Sequence, residues 1–108
     1  MLDEATAMVA RGAILRTLKL WDSRNRHPGK DSAEHYMSEV LLQAHLAMFE
    51  HIPLPEGELR SLLTYLKDKG LVLYKEVPVG REVDLVWRIF GDGTDVLEGR
   101  IRMPGIKV

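Results

Sequence analysis

The sequence contains no cysteine, which excludes disulfide bridges, thiolate metal ligands and a cysteine nucleophile. It has no apolar run near the ~20 residues that cross a bilayer, and no basic-then-apolar segment typical of a secretion signal. It also has no charge excess, since 15 lysines and arginines oppose 16 acidic residues. These absences predict a cytoplasmic protein without membrane contact. They also weigh against a dedicated nucleic-acid binder, which usually carries a basic excess.

The 108 residues are 45% hydrophobic and 29% charged, which predicts one globular domain over residues 1–108. Apolar residues at helical spacing predict a first helix from Ala7 to Trp21. The polar stretch at 22–30 contains a Pro-Gly pair, which a helix does not continue through. We therefore expect a polar loop at 22–30.

The second predicted helix has two candidate starts and a clear end near Phe49. Asp31 with Glu34 has the spacing of a capping box, and Ser38 offers a later start. The helix carries two apolar stripes, namely Met37, Val40, Leu41, Ala44 and Met48 on one face, and Leu42, Leu46 and Phe49 on another. The second stripe is more apolar surface than one core contact needs. Either the first helix covers both stripes or the surplus forms a dimer contact.

A third helix and a hairpin follow. Leucines at 59, 62, 63 and 66 repeat at helical spacing, and Gly70 stands where a left-handed cap is needed. The period then changes to two, which predicts strands over 71–77 and 83–89 joined by a turn at 78–82. One helical turn is expected over 94–98, followed by a basic tail at 100–108. We expect one core to contain Leu62, Leu66, Leu71, Trp87 and Ile89.

This order of elements predicts an α+β winged helix-turn-helix, with three helices, a two-stranded β-hairpin wing and a short C-terminal helical turn. The segment LLTYLKDKGLV at 62–72 resembles the helix-to-wing junction of MarR-like and ArsR-like proteins. The segment at 89–108 is similar to the end of a family of small winged-helix proteins of Mu-like prophages. The matching positions are Gly93, Asp95, Val96, Gly99, Arg100, Arg102, Pro104 and Gly105.

The prophage resemblance implies a phage protein in the cytoplasm of a bacterial host. The chain departs from that family at the start of the third helix, where the segment Pro55–Glu58 replaces a serine and basic or polar residues. This departure is part of a wider asymmetry of charge. Residues 11–30 hold six basic residues and one acid, whereas residues 31–59 hold six acids and no lysine or arginine. Carboxylates at a helix start complement its dipole, but they also oppose a phosphate backbone.

Two functions are compatible with this pattern. The first is binding of duplex DNA, as a transcriptional regulator, through a polar face of the third helix and basic residues outside it. The residues predicted to contact DNA are Arg60, Ser61, Thr64 and Lys67 on that helix, with Arg24, Arg26 and Arg81 elsewhere. The alternative is a protein-interaction module that binds another phage protein in assembly or DNA packaging, while the polar face is simply solvated. A homodimer is expected from the surplus stripe together with Met8 and Val9.

Nothing in the sequence predicts an enzyme, a metal site or a cofactor. His35, His45 and His51 have spacings that match no helical ligand pair and no finger pattern. Gly91 and Gly93 lack the third glycine of a dinucleotide loop. No pair of acidic residues can be assigned as general acid and base.

Overall fold

A computed structural model describes residues 2–24 and 35–108. The elements are α1 (Glu4–Arg24), β1 (Met37–Ser38), α2 (Glu39–Phe49), α3 (Glu56–Asp68), β2 (Val72–Val79), β3 (Glu82–Ile89) and α4 (Asp92–Leu97). The strands form one antiparallel sheet in the order β1-β3-β2. The predicted winged helix-turn-helix is confirmed, and β1 is an addition because a two-residue strand leaves no periodic signal in the sequence.

The first helix is longer than its apolar spacing predicts. The Asp3 carboxylate accepts the Thr6 backbone N–H at 2.7 Å, which caps the helix start and lowers the pKa of Asp3. At the other end α1 continues to Arg24, three residues into the predicted loop. The rest of that loop, residues 25–30, lies outside the described residues. The middle of α1 is fully enclosed by the other elements, through Ala10, Ala13, Ile14, Leu15 and Leu18.

The second helix begins at the later of its two predicted starts. The Ser38 hydroxyl accepts the backbone N–H of Leu41 at 3.1 Å, an N-cap contact. The earlier start at Asp31 lies outside the described residues. Leu42 and Leu46 are completely buried. The stripe expected to be surplus is therefore the core stripe, apart from the exposed Phe49. The other stripe faces solvent, apart from Met37, which is buried in the core.

The connection between α2 and α3 is a left-handed turn. The Ile52 N–H donates to the Leu46 carbonyl at 2.9 Å, while His51 adopts a φ of 56°. This hydrogen-bond pattern terminates α2, and in other helices the residue with the left-handed conformation is usually glycine. At the end of α3 the same role falls to Gly70, with a φ of 76°, as its place in the sequence predicts.

The hairpin turn is shorter than predicted. Val79 pairs with Glu82, so the turn consists of Gly80 and Arg81, and the predicted turn residue Pro78 belongs to β2. Pairing continues to this point because Gly80 supplies the positive φ that a two-residue turn requires. The strand residues nearest the turn are exposed, which makes the hairpin a protruding wing.

The predicted core is confirmed, since Leu62, Leu66, Leu71, Trp87 and Ile89 lie in one buried cluster. The tail at 100–108 is also part of the fold, because it runs back across α1. The Lys107 N–H donates to the Met8 carbonyl at 3.0 Å, and Ile106 is buried.

Two glycines make room for the tail. A Cβ at Gly12 would lie 1.9 Å from the Lys107 carbonyl oxygen, and one at Gly105 would lie 2.1 Å from the Tyr65 hydroxyl. A Cβ at Gly93, in α4, would likewise lie 2.4 Å from the Leu71 carbonyl oxygen. Close approach therefore explains the glycines at 93 and 105 of the motif at the end of the chain.

Candidate nucleic-acid interface

The outward face of α3 is polar and accessible. Its inward side is a leucine stripe, and on the opposite side Arg60, Ser61 and Thr64 are exposed while Lys67 is half-buried. The Thr64 hydroxyl donates to the Arg60 carbonyl at 2.8 Å, and the Ser61 hydroxyl donates to the Gly57 carbonyl at 3.0 Å. Hydroxyl oxygens held this way retain lone pairs that can accept from an amino group. The four predicted residues of the third helix thus share one face.

Arg60 is bound within the protein. Its guanidinium donates to both carboxylate oxygens of Glu39, with N–O distances of 2.7 and 2.8 Å, and this contact raises the pKa of Arg60. Glu39 is buried and also accepts the indole N–H of Trp87 at 3.0 Å. The network joins the start of α2 to α3 and the wing. The sequence indicates Glu39 only as a residue of the first turn, because its partners are distant in the chain.

The end of α3 and the adjoining part of β2 carry cations against aromatic rings. The Lys67 ammonium lies 5.4 Å from the centre of the Tyr74 ring, and that ring packs on Trp87 at 5.3 Å. On β2, the Lys75 ammonium lies 4.7 Å from the ring centre of Tyr36. The ring faces help to hold both cations in place, and the Lys67 ammonium also lies 3.9 Å from a carboxylate oxygen of Asp68.

The start of α3 has the opposite character. A cleft of about 240 Å³ separates the starts of α2 and α3 from the wing. It is lined by Ser38, Glu39, Val40, Glu56, Arg60, Glu82, Val83, Asp84 and Leu85. Four carboxylates thus face one guanidinium, and that guanidinium is paired with Glu39. We call this region the acidic cleft. It opposes the approach of a phosphate backbone.

The other predicted contact residues lie apart from α3. Arg81 stands exposed in the two-residue turn at the tip of the wing. Arg24 is the exposed last residue of α1, beside a pocket of about 100 Å³ that Trp21 and Leu41 also line. Arg26 lies outside the described residues. In the tail, Arg100 is paired with Asp95 and Glu98, which raise its pKa.

One polar cluster escaped sequence analysis. The Nδ1 atom of His35 lies 3.0 Å from a carboxylate oxygen of Asp22, and the Nε atom of Arg88 lies 3.3 Å from the same oxygen. The contact ties the end of α1 to β3. Within 2–24 and 35–108 there is no group of three or more histidine or acidic residues placed to hold a metal ion. Over the same ranges, no helix has the length and apolar character to cross a membrane.

Known structures share this architecture. No protein-family model matches the sequence, and no characterised protein matches it in sequence. TA0346 of Thermoplasma acidophilum, proposed to be a transcriptional regulator, superposes with a TM-score of 0.62 at 21% identity, over 86% of this chain and 79% of that protein. PadR of Bacillus subtilis, in a complex with operator DNA, superposes with a TM-score of 0.61 at 16% identity, over 92% of this chain and 50% of PadR. The chain has the winged-helix fold of these proteins.

Proposed function

We propose that the protein is a transcriptional regulator that binds duplex DNA through α3 and the wing. The observation that carries this proposal is the polar outward face of α3, which is free of the core beside a protruding hairpin. A helix of this kind fits the major groove, where Ser61 and Thr64 reach base edges. The DNA-bound PadR of the same fold supports this assignment.

The contacts to phosphate come from the basic end of the surface. Lys67 and Lys75 neutralise the backbone beside the end of α3, and Arg81 reaches it from the tip of the wing. Arg60 contributes less, because its charge is already paired with Glu39. Arg24 and Arg26 supply further contacts from the end of α1 and the segment after it.

The regulator acts by binding, with no catalytic step and no cofactor. A homodimer belongs to the proposal, supported by the exposed apolar side chains of Val9 and Val108. Light scattering at about 100 μM tests the dimer, since a typical dissociation constant lies far below that concentration and a monomer mass would contradict it. The prophage origin is supported only by the motif at 93–105.

The direct experiment selects binding sites from a pool of randomised duplexes. The full chain should enrich one sequence, and Thr64→Ala should weaken binding to that sequence more than to a scrambled duplex. Lys67→Ala should weaken both duplexes equally and lower the salt slope by about one. No enrichment, together with no salt-dependent binding to any duplex, would contradict the proposal and favour the protein-interaction alternative.

A further inference from the structure

The outward face of α2 is apolar although it lies on the surface. The segment from Val40 to Phe49 contains no acidic residue, lysine or arginine. Val40 is 74% exposed and Met48 is 69% exposed, and Ala44 and Ala47 between them are exposed as well. A contiguous apolar surface of this kind marks an interaction site more often than a solvated face.

The face forms one wall of a groove. The opposite wall is the segment Pro53–Pro55, which is held to α2 because the Gln43 amide donates to the Leu54 carbonyl at 2.6 Å. The groove is open to solvent and has a volume of about 540 Å³. On the α2 side, the groove is lined by the small side chains of Ala44 and Ala47, which allow a second helix to approach α2 closely.

The groove is continuous with the acidic cleft. Val40 lines both, so an occupant that lies along α2 reaches the cleft carboxylates at the start of that helix. Glu56 comes from α3, and Glu82 and Asp84 come from the wing. An apolar groove that opens onto three carboxylates besides the paired Glu39 complements apolar side chains followed by lysines or arginines.

We propose that this groove and the acidic cleft bind a basic amphipathic helix of a partner protein. The apolar side of that helix lies on Val40, Ala44 and Ala47, and its basic residues enter the cleft. A second copy of this chain fits less well, because a two-fold contact presents the same surface from both copies, and residues 40–49 of that surface hold no lysine or arginine to enter the cleft. A duplex is disfavoured by the negative charge of the cleft.

The test uses a labelled peptide of about 16 residues, long enough to form a helix, with leucines at i, i+3, i+4 and i+7 and lysines elsewhere. Its counterpart has glutamates in place of the lysines. Fluorescence anisotropy with the full chain should detect binding of the lysine peptide, weakened by salt, and no binding of the glutamate peptide.

Two pairs of variants locate the binding. Ala44→Arg fills the groove and should weaken binding of the lysine peptide about tenfold or more, whereas Ala5→Arg, on an exposed position of α1, should change it less than about twofold. Asp84→Lys should weaken it several-fold at low salt, and Glu76→Lys, on the same hairpin but outside the cleft, should not. Circular dichroism should show all four variants folded.

Three results would overturn the proposal. The first is equal binding of both peptides, or of neither. The second is an equal effect of Ala44→Arg and Ala5→Arg. The third is a dimer that Ala44→Arg converts to a monomer, which would make a second copy the occupant. Loss of duplex binding, by contrast, would contradict the proposed regulator and leave the peptide result unaffected.

Discussion

The two helices of the helix-turn-helix unit pack on the core in the same way and present opposite surfaces to solvent. On α2 the leucines at 42 and 46 are buried, and Val40 and Met48 are exposed on the opposite side of the helix. On α3 the leucines are also buried, but the opposite side carries Arg60, Ser61 and Thr64. A polar face needs no cover, but an apolar one gains by being covered. This difference underlies the two proposals, duplex DNA as the ligand of α3 and a protein partner as the ligand of α2.

The largest expected difference in the free energy of unfolding is between substitutions on the inward face and substitutions on the outward face of each helix. Leu66→Ala and Leu46→Ala each remove a fully buried side chain and should lower the free energy of unfolding by about 2–5 kcal/mol. Thr64→Ala and Met48→Ala change exposed positions and should shift it by less than about 0.5 kcal/mol. Urea denaturation measures all four. A large loss from Met48→Ala in the isolated chain would mean that the outward face of α2 is already covered.

These faces also show how far the sequence determines the fold. Helical spacing alone identifies the leucine stripe of α3, since every other position on that helix is polar or glycine, apart from Tyr65. On α2 both faces are apolar, so periodicity cannot rank them, and the prediction chose the wrong stripe as surplus. The choice depends on where α1 and β1 lie, which is a property of the tertiary structure.

The candidate site was predictable to a similar degree. The polar residues of α3 follow from the helix period once the leucines are identified. The contact between Arg60 and Glu39 joins residues 21 positions apart, and the acidic cleft joins two helices to the wing. A local sequence pattern cannot predict contacts between residues so far apart in the chain. The tail also escaped prediction as a docked segment, because its local signals are basic residues and a Pro-Gly pair, and neither shows that the segment packs on α1.

The next effect concerns the contact that fixes α3 against α2. Glu39→Ala leaves the buried indole N–H of Trp87 and the Arg60 guanidinium without their acceptor, and should lower the free energy of unfolding by about 1–3 kcal/mol. Glu39→Gln retains an acceptor oxygen and should cost less. Denaturation followed by tryptophan fluorescence gives both values. Equal losses in the two variants would indicate that the charge, rather than the hydrogen bond to Trp87, carries the contact.

The smallest effect tests the ends of the two helices. His51 after α2 and Gly70 after α3 both have a positive φ, but only glycine adopts it without strain. His51→Gly should therefore raise the free energy of unfolding by about 0.5–1 kcal/mol, after the greater entropy of unfolded glycine is subtracted. His51→Ala keeps the strain and serves as the control. A loss of stability in His51→Gly would show that the histidine side chain itself stabilises the turn.

In the proposed complex α3 faces the duplex, where its basic end is attracted to phosphate and its acidic start is repelled. The most direct measurement is the salt dependence of duplex binding by Glu56→Lys, compared with Glu4→Lys, which makes the same change in the first turn of α1. Glu56→Lys should bind more tightly at low salt, with a salt slope steeper by about one phosphate contact, and Glu4→Lys should leave the slope unchanged. Unchanged or weaker binding by Glu56→Lys would mean that the start of α3 does not face DNA.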